Sequence, residues 1–177
     1  MPIRFIAKIS AFQIIATLLC LAQGSQFVNG YSAVRKGAIV GHLKIPRLHM
    51  SVIVLEGSDP GILALAAGHI AGTSLPGISG NVGIAAHRDT FFGSLREIRP
   101  NDIINLQTVS GDFSYAVSGT EVVAPTNIEV LHQTADAELT LITCYPFRHK
   151  GPSPKRFIVH ARRIRDIGSA FSSAGQR

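Results

Sequence analysis

One cysteine ends a run of strand-forming residues, a position from which a thiol could do chemistry. In LTLITCYPF, residues 139–147, five residues of strand-forming type precede Cys144, and a proline follows two positions later. A cysteine thiolate is a strong nucleophile, but a free cysteine after an apolar strand is also among the most buried of packing residues. The run alone leaves both interpretations open.

Two more residues with complementary chemistry occupy similar places. His87 follows the strand-like run NVGIAA, and Arg156 directly precedes the run FIV. An imidazole can take the proton of a thiol and later give it to a leaving amine, and a guanidinium can hold the oxyanion of a tetrahedral intermediate. Cys144, His87 and Arg156 are therefore the parts needed for acyl transfer from a peptide bond through a thioester. Each of them alone also suits a structural or surface role.

Metal binding is a second chemistry to test, because the chain contains seven histidines. No two of them have the i, i+4 spacing of a helical zinc site, and the chain has no Cys-x-x-Cys. Cys144 and His149 lie close in sequence, but two ligands do not make a site. We predict that the protein has no metal site.

The elements that must position these residues look like short strands. From residue 39 onwards, strand-like runs alternate with turn signals at roughly ten-residue spacing, a pattern typical of an all-β barrel or sandwich. Eight short strands favour a closed barrel, which leaves no strand edge free. The predicted strands lie at residues 38–45, 51–55, 81–86, 102–108, 113–117, 120–123, 138–143 and 156–161.

Two short helices and one hairpin complete the predicted domain. Asp59 is an N-cap residue followed by a proline at the first helical position, which indicates a helix over residues 59–65. A short helical turn is predicted at residues 91–98, before Pro100. The triplet Ser-Gly-Asp at residues 110–112 is a hairpin signal.

The N-terminus has the composition of a targeting segment. Arg4 and Lys8 precede an uncharged run at residues 9–22, which is shorter than the roughly 20 residues of a full membrane span. We predict an apolar helix in residues 1–30, acting as a signal-anchor or as a signal peptide cleaved near Ala-Gln-Gly, residues 22–24. Either function would place the rest of the chain outside the cytoplasm, with the basic end inside. A soluble core helix is the alternative.

The remaining boundaries follow from composition. Residues 31–38 are predicted to be a linker, residues 39–166 the barrel domain, and residues 167–177 a polar tail. The only other cysteine, Cys20, lies in the N-terminal segment, so Cys144 is predicted to be a free thiol.

The chain is basic, with a formal net charge of +6. Part of the excess lies in residues 155–156 and in the run RRIR at residues 162–165. A basic chain can suit nucleic acid, anionic lipid or an anionic cell envelope, but the chain has no tryptophan and shows no aromatic surface on which bases could stack. We therefore predict no nucleic-acid partner and interpret RRIR as a solvated strand end.

Three motifs together resemble those of the sortase family. TLITC at residues 140–144 is similar to the family's TLxTC signature, IAAHRDTFF at residues 84–92 resembles its histidine motif, and KRFIV at residues 155–159 resembles the strand that carries its essential arginine. The order histidine, cysteine, arginine is also the family's order. The resemblance covers residues 39–163 and is greatest to the class D group. One departure is Ala86, which stands where glycine usually precedes the histidine.

The resemblance implies an eight-stranded β-barrel and a membrane-attached cysteine transpeptidase that faces away from the cytoplasm. It implies cleavage of a Leu-Pro-x-Thr-Gly sorting signal after the threonine, with an acyl-enzyme on Cys144 that an amine resolves. His87 would act as general acid and base, and Arg156 would hold the threonine carbonyl or the oxyanion. The amine acceptor would be a peptidoglycan precursor or a pilin lysine. No cofactor is implied, and the chain has no acidic cluster to support the calcium dependence seen in part of the family.

Further residues receive weaker assignments from the same resemblance. His69 matches a family position that is often histidine, where it would either line the site or make a structural hydrogen bond. Ala85, Leu141 and Thr143 would shape the wall of a substrate groove, and Tyr145 is a further candidate substrate contact. Two other functions remain open: a hydrolytic cysteine protease with the same three residues, and a non-catalytic barrel that binds a partner and buries Cys144.

Overall fold

The computed structural model describes residues 34–148 and 151–164. Its strands are β1 (Ile39–Ile45), β2 (Met50–Glu56), β3 (Ala67–His69), β4 (Gly80–Ala85), β5 (Ile103–Thr108), β6 (Gly111–Val123), β7 (Ala137–Tyr145) and β8 (Lys155–Arg163). They close into a barrel in the order β1-β2-β3-β4-β7-β8-β6-β5. The predicted fold class is therefore confirmed.

Short helices occupy the connections between strands. The only α-helix among the described residues, α1 (Pro60–Leu65), begins where the sequence predicts it, because the Asp59 side chain accepts a hydrogen bond from the Gly61 amide at 3.2 Å. The helical turn predicted before Pro100 is a 3-10 helix, Gly93–Glu97. Two further 3-10 helices, Pro46–Leu48 and Glu129–Leu131, lie in the β1–β2 and β6–β7 connections.

Two strand predictions were wrong in detail, although the total of eight is right. β3 was missed because three residues, one of them a glycine, are too few to show a period of two. Residues 113–117 and 120–123 were predicted as two strands but belong to the single strand β6. The register of β6 on β8 shifts between Val117 and Gly119, and such a bulge inserts turn-like residues without ending the strand.

The interior of the barrel is filled by side chains that alternate along each strand. β2 shows the pattern clearly, since Met50, Val52 and Val54 are buried in the core whereas Ser51 and Ile53 between them are exposed. A small closed barrel has room inside for little more than these side chains, so any substrate must bind on its outer surface. Fully buried core residues include Leu43, Ile45, Val54, Val82, Ile84, Ile104, Leu106, Leu139, Leu141 and Val159.

Some predictions concern residues that the structure does not describe. The N-terminal segment of residues 1–30, with Cys20, lies outside the described residues, as do the first three residues of the predicted linker and the polar tail. Among residues 34–148 and 151–164, no helix is both long enough and apolar enough to span a membrane. The predicted domain boundaries stay predictions.

Candidate active site

The three residues predicted to do chemistry lie at one end of three neighbouring strands. β4, β7 and β8 are adjacent in the barrel, and Cys144 on β7 is the direct partner of Arg156 on β8. On the other side of β7, Ala85 at the end of β4 pairs with Ile142. Cys144 lies two residues beyond Ile142, and His87 lies two residues beyond Ala85. Because β4 and β7 run parallel, both extensions reach the same edge of the sheet.

The alternation of side chains puts these residues on the outside of the barrel. Ala86 is 5% exposed and belongs to the core, whereas the next residue, His87, is exposed. Thr143 is 2% exposed, whereas Cys144 is half-buried. Arg156 is half-buried and, as the direct partner of Cys144, shares its face of the sheet. A substrate can therefore reach the thiol without entering the barrel.

The main chain around His87 is fixed by hydrogen bonds on both sides. The Thr143 hydroxyl donates to the Ala86 carbonyl oxygen at 2.7 Å, and the Ala86 amide donates to the Ile142 carbonyl at 3.2 Å. The Phe92 amide donates to the His87 carbonyl at 2.9 Å. These bonds tie the turn that carries the imidazole to the strand that carries the thiol.

Arg156 is oriented by the loop that precedes it. Its Nη1 donates to the carbonyl oxygen of Ser153 at 3.3 Å and to that of Lys155 at 3.1 Å. A guanidinium carries five N–H donors in a planar fork, so binding the loop through one nitrogen is compatible with donating to a substrate oxygen from the others. The loop thus sets the direction of the guanidinium beside Cys144.

Sequence reasoning missed Arg88 as a residue of this site. Its Nη1 donates to the Ser153 hydroxyl, and its Nη2 donates to the Gly151 carbonyl at 3.2 Å. Arg88 thus joins the His87 turn to the loop between β7 and β8. Its position directly after His87 was the one signal in the sequence, and nothing there marks Ser153.

An aromatic cluster supports the start of the same loop. The rings of Tyr145 and Phe157 stack with centroids 6.4 Å apart, and Phe147 meets Phe157 edge-on at 5.2 Å. Phe147 and Phe157 also pack against the barrel core. The residues that flank Cys144 and Arg156 are therefore held by apolar packing as well as by hydrogen bonds.

His69 lies in a buried hydrogen-bond network. It is 2% exposed, and its Nδ1 lies 2.6 Å from Oε2 of Glu56, which is itself 8% exposed. Its Nε2 lies 3.0 Å from the Ser74 carbonyl oxygen and 3.1 Å from the Thr73 hydroxyl. Because a carbonyl oxygen only accepts, a hydrogen bond from His69 to Ser74 requires the tautomer with a proton on Nε2. The network joins β2, β3 and the β3–β4 loop. His69 therefore makes structural hydrogen bonds, which is one of the two roles predicted for it from the sequence.

The other candidate substrate contacts occupy different environments. Ala85 is half-buried on the outer side of β4, and Leu141 is fully buried in the core. Thr143 is buried and donates its hydroxyl to the Ala86 carbonyl, and Tyr145 is half-buried in the aromatic cluster. Direct contact with substrate stays a prediction for all four residues.

Two cavities of about 350 and 390 Å³ lie towards the end of β7 that is remote from Cys144, and they share Glu138 and His160 as lining residues. None of His87, Cys144 and Arg156 lines either cavity. Thr140, four residues before Cys144, lines the first, which places this part roughly 13 Å from the thiol along an extended strand. Asn81 lines the second, and its side-chain amide donates to the Val130 carbonyl at 3.0 Å, holding the β6–β7 loop as one wall. An extended peptide could lie along this face.

The described part of the chain contains no group of three or more histidine, cysteine, aspartate or glutamate side chains placed to hold a metal ion. Cys144 is a free thiol in the structure. The chemistry that the arrangement can support is therefore attack by a thiolate, with proton transfer by an imidazole and charge stabilisation by a guanidinium.

Comparison with known proteins gives a consistent set of similarities. A family model described as a sortase domain matches residues 43–164. The chain is 32% identical to sortase D of Bacillus subtilis (strain 168) over 129 residues, which cover 72% of this chain and 65% of that protein. It is 29% identical to sortase A of Listeria monocytogenes over 121 residues, which cover 66% of this chain and 54% of that protein. The chain thus spans between about half and two thirds of the length of the curated relatives it matches.

Solved structures show the same likeness. The complex of Streptococcus agalactiae sortase C1 and MTSET superposes with a TM-score of 0.67 at 30% identity, covering 72% of this chain and 68% of that one. A Clostridium perfringens sortase D5 transpeptidase superposes with a TM-score of 0.69 at 24% identity, covering 89% of this chain and 91% of that one. At that identity the second likeness concerns the fold alone.

Proposed function

The chain belongs to the sortase family, most like class D, and from that premise we propose that it is a cysteine transpeptidase. Its substrate would be a protein with a Leu-Pro-x-Thr-Gly type sorting signal, cleaved after the threonine. The acyl group would pass to an amine of the cell envelope, on a peptidoglycan precursor or on a pilin lysine. The observation that carries the proposal is the convergence of His87, Cys144 and Arg156 on one outer edge of the barrel.

The proposed reaction has two balanced halves. In the first, Cys144 Sγ bonds to the threonine carbonyl carbon, the scissile C–N bond breaks, and the imidazolium of His87 gives its proton to the leaving amine. In the second, the acceptor amine attacks the thioester, its proton passes to His87, and the thiolate leaves. One peptide bond is lost and one amide bond is formed, so no oxidant, reductant or cofactor is consumed.

Arg156 would act on the charge that develops between these states. As the cross-strand partner of Cys144 it sits beside the carbon under attack. A guanidinium aimed at the oxyanion is worth more in the transition state than in the ground state, because the charge it meets is larger there. Its present acceptors are neutral backbone carbonyls, which an oxyanion can displace.

We propose that the substrate follows the outer face of β7 from Cys144 towards the two cavities lined by Glu138 and His160. A peptide whose threonine carbonyl lies at Cys144 would place the residues before it along the outer face of β7, towards Thr140. Ala85 and Tyr145 flank the start of this path, and we propose them as contacts, whereas the buried His69, Leu141 and Thr143 would shape the path from beneath. We also propose that residues 1–30 anchor the protein in the cytoplasmic membrane with the barrel outside, or are cleaved after export.

The proposal is tested with the full-length chain, a library of Leu-Pro-x-Thr-Gly peptides and an added amine, with products read by mass spectrometry. We expect a threonine–amine product and a thioester adduct on the protein. Cys144→Ala should lower the rate at least about 10³-fold, since no other group can form the thioester. A folded protein that gives neither product nor adduct would contradict the proposal. Release of the free acid despite abundant amine would favour the hydrolytic protease instead.

A further inference from the structure

Two loops meet beside the thiol through a single arginine, and this contact is not part of the three-residue chemistry described above. Arg88 extends from the His87 turn and is half-buried. Its two terminal nitrogens reach Ser153 and Gly151 in the β7–β8 connection, more than sixty residues further along the chain. We infer that Arg88 is a positioning residue, which holds the β7–β8 loop against the His87 turn so that His87 and Arg156 keep their places on either side of Cys144.

Ser153 is the point where the two arginines of the site meet. Arg88 binds its side-chain hydroxyl, and Arg156 binds its carbonyl oxygen at 3.3 Å. Ser153 lies three residues before Arg156, so a shift of the serine moves the segment from which the second guanidinium departs. The contacts form a continuous connection from the His87 turn, through Arg88 and Ser153, to Arg156.

The connection matters because a glycine lies in the segment of the loop that Arg88 binds. Residues 146–154 join β7 to β8, and Gly151 in this loop has a φ of +92°, a value that glycine adopts without steric cost. Glycine also adds conformational freedom that must be lost when the loop is ordered. Donors from Arg88 to two residues of the loop offset that loss. The aromatic cluster fixes the start of the loop, and Arg88 fixes its end, next to Arg156.

The two sides of the site are therefore tied in different ways. The backbone hydrogen bonds of Ala86 hold the His87 turn to β7. Arg88 holds the same turn to the segment leading into β8. Without Arg88 the thiol and imidazole stay connected through β7, whereas Ser153, whose carbonyl oxygen accepts from Arg156, loses its side-chain hydrogen bond to the turn. A misplacement of about 1 Å in such a constellation can cost roughly 10²-fold in rate.

The test compares variants of the full-length protein in the transpeptidation assay, and to that extent it depends on the proposed function. Arg88→Gln removes the connection, Ser153→Ala removes one hydroxyl only, and Ser153→Thr keeps a hydroxyl. Arg96→Gln is the matched control, because Arg96 also carries a positive charge after the His87 turn but makes an exposed pair with Glu97. Thermal unfolding of each variant establishes the fraction that is folded.

We expect Arg88→Gln to lower kcat by about 10- to 100-fold while KM changes less than about threefold, since geometry is lost and substrate contacts are kept. Ser153→Ala should show part of this fall in kcat, and Ser153→Thr should restore kcat towards the wild-type value. The double variant Arg88→Gln/Ser153→Ala should have a kcat no lower than that of Arg88→Gln. Equal kcat for folded Arg88→Gln and Arg96→Gln would overturn the inference. Additive losses in the double variant would overturn it as well. If Arg88→Gln does not fold, the comparison of the two Ser153 variants decides.

A second measurement separates this inference from the proposed function. The rate at which iodoacetamide alkylates Cys144 reports how the positive groups of Arg156 and His87 are held beside the thiol, because both favour the reactive thiolate, and it needs no sorting signal. We expect Arg88→Gln and Ser153→Ala to lower this rate several-fold and Arg96→Gln to leave it unchanged. Because Ser153→Ala keeps every charge, a loss there cannot come from the missing positive charge. An unchanged rate in both variants would overturn the inference even if transpeptidation itself were demonstrated, and altered rates would support it even if no sorting-signal peptide reacted.

Discussion

At the residue scale, Tyr115 is the side chain least well accommodated by the barrel. It is fully buried, and its hydroxyl is the one buried side-chain polar atom without a hydrogen-bond partner among the described residues. Burial raises the pKa of Tyr115, and the guanidinium of Arg163 opposes that shift. A buried polar group that makes no hydrogen bond has lost its hydrogen bonds to water without replacing them, which destabilises the folded state.

We therefore predict that Tyr115→Phe leaves the protein as stable as before or more stable, by up to about 1–3 kcal/mol in the free energy of unfolding. The ring and its packing are kept, and only the unsatisfied hydroxyl is removed. Urea unfolding measures the change. Tyr115→Leu is the control, since it removes the ring and should destabilise the barrel. A clear loss of stability in Tyr115→Phe would mean that the hydroxyl makes a hydrogen bond after all.

Single residues also show where sequence reasoning reaches its limit. Cys144, His87 and Arg156 could be chosen because their chemistry is complementary and each ends or begins a predicted strand. Arg88 was not chosen, because its partner Ser153 is brought to it only by the fold. Likewise, the pairing of His69 with Glu56 depends on the parallel register of β2 and β3, and no local sequence pattern predicts that register.

At the scale of elements, the crossover from β2 to β3 leaves no room for a side chain at Gly68. A Cβ added there would lie 2.2 Å from the Gly57 carbonyl oxygen, well inside the contact distance of these atoms. Gly119 in β6 is a natural contrast, because a Cβ added there would meet nothing within 4 Å. Two strand glycines thus differ in what surrounds them.

We predict that Gly68→Ala destabilises the protein by about 2–4 kcal/mol, in the range of overpacked or strained sites. The backbone of β2 or β3 must move to admit the methyl group. Gly119→Ala is the matched control and should stay within about 0.5 kcal/mol of the wild type. Thermal unfolding of both variants checks this. Equal stability of the two variants would show that the crossover adjusts freely.

The strands and helices differ in how clearly their local sequence indicates them. Strands with clear alternation and helix α1 with its Asp59 cap could be predicted from the sequence. β3 has too few residues to show an alternating pattern, and the sequence at the bulge in β6 resembles that of a turn. The aromatic packing of Tyr145 on Phe157 could not be foreseen either, since it depends on which strands are neighbours.

At the scale of the whole molecule, an ion pair joins connections at the end of the barrel. Both Nε and Nη2 of Arg47 donate to the carboxylate of Asp102, which also accepts from the Arg99 amide at 2.8 Å. The hydrogen bonds from Arg47 are the largest cause that lowers the pKa of Asp102 below its usual range. A lowered pKa in the folded state means that this carboxylate favours folding only while it is ionised.

We predict that Asp102→Asn lowers Tm by roughly 5 °C at pH 7. The contribution of Asp102 is fully present above its unfolded pKa of about 3.9 and is lost as the pH falls through its lower folded value. The difference in Tm between wild type and variant should therefore shrink below about pH 4. Asp136→Asn, the same change at an exposed site, is the control. A difference in Tm that stays constant down to about pH 2 would contradict the assignment.

The closed barrel itself could be predicted, because eight short strands in one domain leave few other ways to avoid free edges. The order of the strands could not. β4 and β7 pair in parallel although the chain forms β5 and β6 between them, and hydrophobic periodicity carries no information about such non-local partners. The sequence could place His87, Cys144 and Arg156 at the ends of predicted strands, and their mutual geometry comes from this pairing.

The hydrogen bond between Thr143 and Ala86 joins residues 57 positions apart, and this has a consequence for when the chain becomes reactive. Cys144 and Arg156 belong to one hairpin and can meet early during folding, whereas the imidazole arrives only when β4 and β7 dock. Pairing of such distant segments is slow, because a long loop must close before any contact repays its entropy. A partly folded chain would thus hold its thiol apart from its imidazole, and the thiol would gain its reactivity at the moment the barrel completes.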